Sequence, residues 1–214
     1  MVKSGEIMTK KDVFLHKTAI IEKDVKIGDG TKVWDNVHIR KGASIGRDCI
    51  VGGKSYIAYG VKIGNLVKIN SFAYICAGVT IKDKVMISAG TIFTNDKFPR
   101  SVRGETDELF TSDPTEETEK TLVCEGVTTG AGSIIGCGIT LGEYSMVGMG
   151  SVVTKSIFPH HLVYGTPARA MGYVCRCGYL LKTVKGQASC SFCNSKYSIF
   201  GDKNNKTVKL IKES

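Results

Sequence analysis

The sequence has no apolar run near the roughly 20 residues that a membrane helix needs. Its opening, MVKSGEIMTKKDVF, has no apolar centre of the kind found in a secretory signal. These two absences predict a soluble, cytoplasmic protein with no membrane partner. The net charge of +9 is not gathered into basic runs interleaved with aromatics, which is the usual footprint of a nucleic-acid binder. No nucleic-acid partner is therefore expected. The scattered Lys and Arg read either as a solvated basic surface or as an attraction for a small anionic substrate, such as a nucleotide or phosphate ester. A disulfide framework is missing too. Of eight cysteines, Cys49, Cys76, Cys124 and Cys137 stand singly, and Cys175, Cys177, Cys190 and Cys193 cluster near the end. That distribution predicts a reducing compartment and one metal site.

What the chain does have is a rhythm. Proline is scarce at 4 residues and glycine abundant at 25. Every sixth residue from Ile21 to Phe93 is apolar: Ile21, Ile27, Val33, Ile39, Ile45, Val51, Ile57, Ile63, Ile69, Ile75, Ile81, Ile87, Phe93. Four residues after each comes a small or β-branched residue, as in Val25, Thr31, Val37, Ala43, Cys49 and Ser55. Gly or Asn often follows the aliphatic residue, as in Ile27-Gly28, Ile45-Gly46 and Ile63-Gly64. A period of six fits neither an amphipathic helix nor a hairpin meander. It fits short strands joined by tight corners, each strand placing one large and one small side chain inward. Three strands make a triangular coil, and stacked coils make a parallel β-helix. An ordinary β-sandwich of short strands is the alternative, and it does not account for so many in-phase positions. Cys49, in the small series, reads as core.

The rhythm resumes at Val123, Thr129, Ile135, Leu141, Val147 and Val153. Between the two runs the same phase gives Pro99, Glu105, Thr111 and Glu117, none of them core-like. Residues 94 to about 122 are thus predicted to leave the coil. A loop of that length within a compact domain is usually functional or disordered.

The repeat resembles that of the hexapeptide-repeat acyltransferases, over roughly residues 12–172. The strongest local match is SVVTKSIFPHHLVYGTPARAMG, residues 151–172. TNDKFPRS, LVCEGVTTGAGSIIG and GYVCRCGYLL look most like the nucleotide-linked amino-sugar N-acetyltransferases of surface-polysaccharide synthesis. The resemblance implies an all-β, left-handed β-helix and a homotrimer with active sites between neighbouring helices. It also implies transfer of an acyl group from acetyl-CoA, or another acyl-CoA, to the amine of a nucleotide-linked amino sugar. A threefold ring of solenoids is a plausible closed assembly.

Acyl transfer to an amine needs a neutral amine, a polarised carbonyl and a route for one proton. Relatives that acylate hydroxyls often carry a catalytic histidine near the equivalent of TNDKFPR. Here His16, His38, His160 and His161 all lie elsewhere, and each reads as a surface or packing residue. This favours N-acylation over an O-acetyltransferase of the same fold. The excursion offers Asn95, Asp96 and Arg100. Asp96 can accept a proton, bind the ammonium or orient a sugar hydroxyl, and Arg100 can clamp a diphosphate or carboxylate. Alternatively, an Asp–Arg pair simply holds the loop together. Asn70 is the second catalytic candidate, because the resemblance places a substrate-contacting amide in its neighbourhood. Its other reading is a corner residue tolerant of positive φ. Coil arithmetic stacks Asn70, Ser88, Gly130 and Gly148 on one edge, and small residues there expose backbone groups to a pantetheine arm. Lys155 and Arg169 are candidates for the CoA phosphates, or else a solvated end-cap.

The tail, residues 173–214, pairs Cys175-x-Cys177 with Cys190-x-x-Cys193 across a twelve-residue spacer. Two such pairs can converge on zinc, and four thiolates leave no open position, so the metal would be structural. It would pin a small antiparallel sheet of YLLKTV, KYSIF and TVKLI, like a zinc ribbon. Two further readings are a non-catalytic β-helix serving as an assembly or binding module, and a β-helical carbonic anhydrase. A mere spacer needs neither the loop nor the exit segment. A carbonic anhydrase needs three converging histidines, which the spacings do not show.

Overall fold

A computed structural model describes residues 12–102, 104, 108–109, 113–201 and 207–212. Residues 1–11, with most of the opening stretch read above, and Glu105 and Thr111 of the excursion lie outside them. Among the described residues every regular element is a β-strand. The chain winds into a parallel solenoid whose three faces carry nine, seven and six strands, followed by a separate four-stranded antiparallel sheet.

The six-residue rule becomes geometry in two-residue strands. Each has one side chain out and one in, as in Lys32–Val33, Lys62–Ile63 and Tyr74–Ile75. Neighbouring coils pair in parallel with a shift of eighteen residues, so Lys68 faces Met86 and Ile69 faces Ile87. The inward aliphatic residues therefore pile into three ladders, and Ile39, Ile57, Ile75, Phe93 and Ile135 of one face are all fully buried. Each such side chain contributes about 1.5–3 kcal/mol by leaving water. The small series lies inside as well, and several of its hydroxyls find partners, although the Ser133 and Ser145 hydroxyls do not. Thr31 Oγ1 donates to the Gly46 carbonyl at 2.8 Å and accepts from the Cys49 amide at 3.0 Å. Cys49 is a core residue, with Sγ 3.2 Å from the Gly64 carbonyl.

The corners differ from the sequence expectation. The left-handed backbone falls three residues after the inward aliphatic side chain, at Asp24, Gly30, Asn36, Gly42, Asp48, Lys54 and Gly60, and onward at the same interval. Gly28, Gly46 and Gly64 serve another need. A Cβ on Gly28 would sit 2.6 Å from the backbone of Arg47 in the next coil. Asn70 is not a positive-φ corner, so that explanation of its identity fails.

The solenoid is interrupted after strand Ile92–Phe93 and resumes at Thr121–Val123, which pairs with Val79–Ile81. The excursion thus spans residues 94–120, two residues shorter than the sequence reading. Gly78 makes its return possible, because a side chain there would collide with the Glu119 carbonyl. The last coil ends in the hairpin His161–Gly165 and Ala168–Tyr173, one residue beyond the boundary placed at 172. The tail sheet runs Leu181–Val184, Gln187–Cys190, Lys196–Phe200, Thr207–Lys212. The strand Gln187–Cys190 is an addition to the three segments read from sequence.

Candidate active site

The excursion folds back over the outer side of the seven-stranded face and closes a cleft of about 870 Å³. One wall is the excursion, with Asn95, Asp96, Lys97, Arg100, Asp113, Glu117 and Glu119. The other is the coil, with Arg40, Tyr56, Tyr59, Tyr74 and Cys76. Asn95 is half-buried, and Asp96 and Arg100 are exposed. Asp96 Oδ1 accepts the Phe98 amide at 2.8 Å, a turn that fixes the carboxylate while leaving Oδ2 for a ligand. An Asp96–Arg100 ion pair is not among those formed by the described residues, and Arg100 Nη1 instead donates to the Pro99 carbonyl at 3.4 Å. The structure thus places these three residues in one cleft but does not tie the loop with an Asp–Arg pair.

The coil wall holds a network that sequence reasoning missed. Tyr56 and Tyr74 occupy equivalent outward positions in successive coils and stack at 5.0 Å, 9° from parallel. Arg40 Nη1 donates to Tyr56 Oη at 2.7 Å, and its guanidinium lies 4.0 Å over the Tyr59 ring. Glu22 Oε1 approaches Arg40 Nε at 2.6 Å, a close charge pair whose N–H is not aligned for a hydrogen bond. Burial opposes ionisation of Glu22, but the Lys41 amide, His38 and Arg40 outweigh it and hold the carboxyl below its usual value. His38 is taken up by Glu22, at 2.9 Å. The eighteen-residue spacing of His38, Tyr56 and Tyr74 was the available signal. Cys76 also lines the cleft, but burial, with Cys137 nearby, pushes its thiol up to about 11 and makes it a poor nucleophile.

Asn70 lies elsewhere. It lines a shallower groove of about 450 Å³ with Trp34, Asp35, Gly52, Gly53, Ser71 and Ala89. The two catalytic candidates, Asp96 and Asn70, therefore do not meet within one chain. The expected edge does form: Ile69, Ile87, Thr129 and Val147 are successive rungs. Asn70, Ser88, Gly130 and Gly148 follow them, and a side chain on Gly130 would strike the backbone of Gly148 and Met149. Lys155 and Arg169 converge in a third pocket, of about 470 Å³, with Thr154, Phe158, His161 and Tyr173. His160 and His161 are buried, and desolvation lowers the pKa of each, as expected of packing residues.

The four tail cysteines converge. All four sulfurs lie within 4.8 Å of one another, with Cys175 and Cys193 at 3.4 Å and Cys177 and Cys190 at 3.5 Å. A tetrahedral zinc with Zn–S near 2.3 Å requires sulfurs about 3.8 Å apart, so the set fits with small adjustments. Tyr197, fully buried, places its Oη 3.0 Å from Cys175 Sγ and accepts from the Arg176 amide at 3.1 Å. Its proton is thus free for a thiolate, an outer contact of the kind that orients metal ligands.

Comparison with known proteins agrees with the coil. The family model described as "Bacterial transferase hexapeptide (six repeats)" matches residues 24–59, and "Hexapeptide repeat of succinyl-transferase" matches residues 125–155. Both matched segments lie within the coil, on its six-residue repeat. A dTDP-3-amino-3,6-dideoxy-alpha-D-galactopyranose 3-N-acetyltransferase from Aneurinibacillus thermoaerophilus is 42% identical over 78 residues, which cover 36% of this chain and 40% of the relative. PerB from Caulobacter crescentus, solved with CoA and GDP-perosamine, is 18% identical over 75% of this chain and 57% of its own, with TM-score 0.45. A mutant of AntD, an N-acyltransferase from Bacillus cereus solved with dTDP and coenzyme A, is 25% identical over 76% and 81%, with TM-score 0.43. The chain spans less than two thirds of the length of the curated relative and of PerB.

Proposed function

We propose that this hexapeptide-repeat protein is an acyl-CoA-dependent N-acyltransferase acting on a nucleotide-linked amino sugar. The observation that carries the reading is the cleft between excursion and coil, which sets Asp96 and other carboxylates against arginines of both walls. A ligand with a cationic amine and an anionic diphosphate matches that bipolar lining. The short relative of 42% identity, an N-acetyltransferase by its name, supports the same class.

Asp96 takes the proton that the amine loses, or holds the ammonium until it does. The amine nitrogen attacks the thioester carbonyl, the carbon–sulfur bond breaks, and the departing CoA thiolate receives the proton lost by the amine, passed on by Asp96, to leave as the thiol. Asn95 and Arg100 contact the acceptor. The edge at Gly130 and Gly148 takes the pantetheine arm, and Lys155 and Arg169 take the phosphates of CoA. Asn70 acts on the opposite side of the same reaction only if a neighbouring subunit brings its groove to the excursion. The homotrimer that the family resemblance implies would supply such a neighbour. No histidine lines the cleft among the described residues, which favours amine over hydroxyl acceptors. An amine with a pKa near 8 is appreciably neutral at pH 7, whereas a hydroxyl needs a positioned base. The cysteine knot holds a structural zinc, because its four thiolates leave no position for substrate.

Thiol release from acetyl-CoA, measured against a panel of UDP- and dTDP-linked amino sugars and their hydroxy analogues, tests the reading. Turnover with an amino sugar and none with its hydroxy analogue is expected. Turnover with the hydroxy analogue alone would establish the O-acyltransferase instead.

A further inference from the structure

Of the arginines that line the cleft, Arg40 is the one held by a network of its own. It is more built than a surface latch requires. Arg40 is half-buried, and three groups fix its guanidinium: Glu22 at Nε, Tyr56 Oη at Nη1 and the Tyr59 ring beneath it. Glu22 is itself fixed from behind, because its Oε2 accepts the Lys41 amide at 2.8 Å and its Oε1 meets His38 Nε2 at 2.9 Å. These contacts engage Nε through a charge pair and one N–H of Nη1 through a hydrogen bond. The guanidinium still lines the cleft opposite Asp96 and Arg100.

A flexible surface arginine loses much rotamer entropy when it clamps a ligand, and one already held loses little. Planar guanidinium groups pair with phosphate oxygens in a two-pronged geometry. The excursion wall carries four carboxylates, Asp96, Asp113, Glu117 and Glu119, beside Lys97 and Arg100. The coil wall carries a cation and aromatic rings without a carboxylate among its lining residues. The cleft is therefore polarised from one wall to the other. An anionic group belongs on the coil side and a cationic amine beside the excursion.

We propose that Arg40 is the anchor for the diphosphate of a nucleotide ligand, and that Glu22 and Tyr56 are positioning residues that hold it. This rests on the nucleotide-sugar reading above and assigns the orientation of the ligand within the same cleft. Diphosphate lies on the coil at Arg40, with the amino sugar directed to Asp96.

Equilibrium binding of dTDP, UDP, thymidine and uridine to the full chain tests this without any acyl transfer. Wild type should bind at least one diphosphate more tightly than its nucleoside. Arg40→Gln should lose about 30-fold or more in diphosphate affinity, the scale for truncating one partner of a buried charged contact. Its nucleoside affinity should stay within about twofold on the ordinary scatter of surface changes. Tyr56→Phe removes one hydroxyl, keeps the stacked ring, and should lose roughly 2- to 10-fold in diphosphate affinity only. It keeps the test open if Arg40→Gln fails to fold. Diphosphate affinity unchanged in both variants, at unchanged melting temperature, would overturn the anchor and leave the acyltransferase reading standing. A wild-type protein that binds neither diphosphate would overturn both.

Discussion

The coil and the cysteine tail are both made of β-strands, yet they hold themselves together by opposite means. In the coil the core is one continuous stack from Val25 to Val163, in which every rung leans on the rungs above and below. In the tail the core, among the described residues, is six buried ones: Cys175, Leu181, Ala188, Cys190, Tyr197 and Val208. Two of those six are metal-ligand candidates. Stability in a solenoid is a sum over repeats and their interfaces, so no single residue carries it. A small sheet with so little apolar core needs a staple. Lengthening a coil is thus a matter of repetition, and the tail depends on one point.

Removing metal should separate the two most sharply. A strong chelator is expected to unfold the tail sheet while the coil keeps its β signal, because a structural zinc site contributes its binding energy directly to folding. Metal analysis of the purified chain should give about one zinc per chain for a single four-thiolate site. A metal-free preparation with a folded tail would erase the distinction. Truncating one rung is the next largest effect. Ile57→Ala should cost about 2–5 kcal/mol, read from denaturant unfolding, and leave metal content unchanged. A loss confined to the tail would contradict a self-supporting coil.

Smaller effects probe where the two regions meet. Lys155→Ala should raise the acyl-CoA KM a few-fold and weaken its salt dependence, with less change in kcat. An unchanged KM would make Lys155 an end-cap. His160 is the joint itself, stacked on Tyr144 of the coil and edge-on to Tyr197 of the tail, with Nδ1 3.0 Å from the Val174 carbonyl. Desolvation lowers its pKa in the fold, against a weaker opposing pull from the Val174 carbonyl. The fold therefore prefers the neutral ring. Its contribution is complete above the unfolded value of about 6.5 and is lost as pH falls through the lower folded value. Melting temperature should drop slightly more between pH 7.5 and 5 in wild type than in His160→Phe, which keeps the ring and removes the titration. Equal slopes would show that the joint does not sense pH.

The same contrast explains what the sequence made legible. Inward positions such as Ile39, Ile57 and Ile75 repeat because packing inspects each of them, so the coil could be read directly. The tail was legible through Cys spacing, since metal geometry restricts it. The strand Gln187–Cys190 was not, because QASC has no β-branched residue and is recruited by its neighbours. Outward positions answer to ligands and loops rather than to the core. Glu22 and Arg40 are one coil apart but differ in residue type, so the spacing alone does not mark them, and the cleft that Arg40 and Tyr59 form with the excursion exists only after folding. Positive-φ corners at Asp24, Lys54, Leu66 and Phe72 were hidden for a related reason. The stacked coils impose that backbone, so side chains that do not favour it are tolerated there. The separation of Asn70 from Asp96 was within reach of the coil arithmetic, because Ile69 and Phe93, which precede them, belong to different ladders.

Everything proposed for the cleft depends on Asp96 as the acid–base partner of the acceptor amine. The direct measurement is kcat/KM for acyl transfer in Asp96→Asn, which keeps the shape and removes the charge, beside its melting temperature and its oligomeric state. A fall of about 10²–10⁴-fold at pH 7, with both physical measures unchanged, is the expected result for a general base. Full activity in Asp96→Asn at pH 7 would contradict the account and reduce the excursion to a contact between subunits.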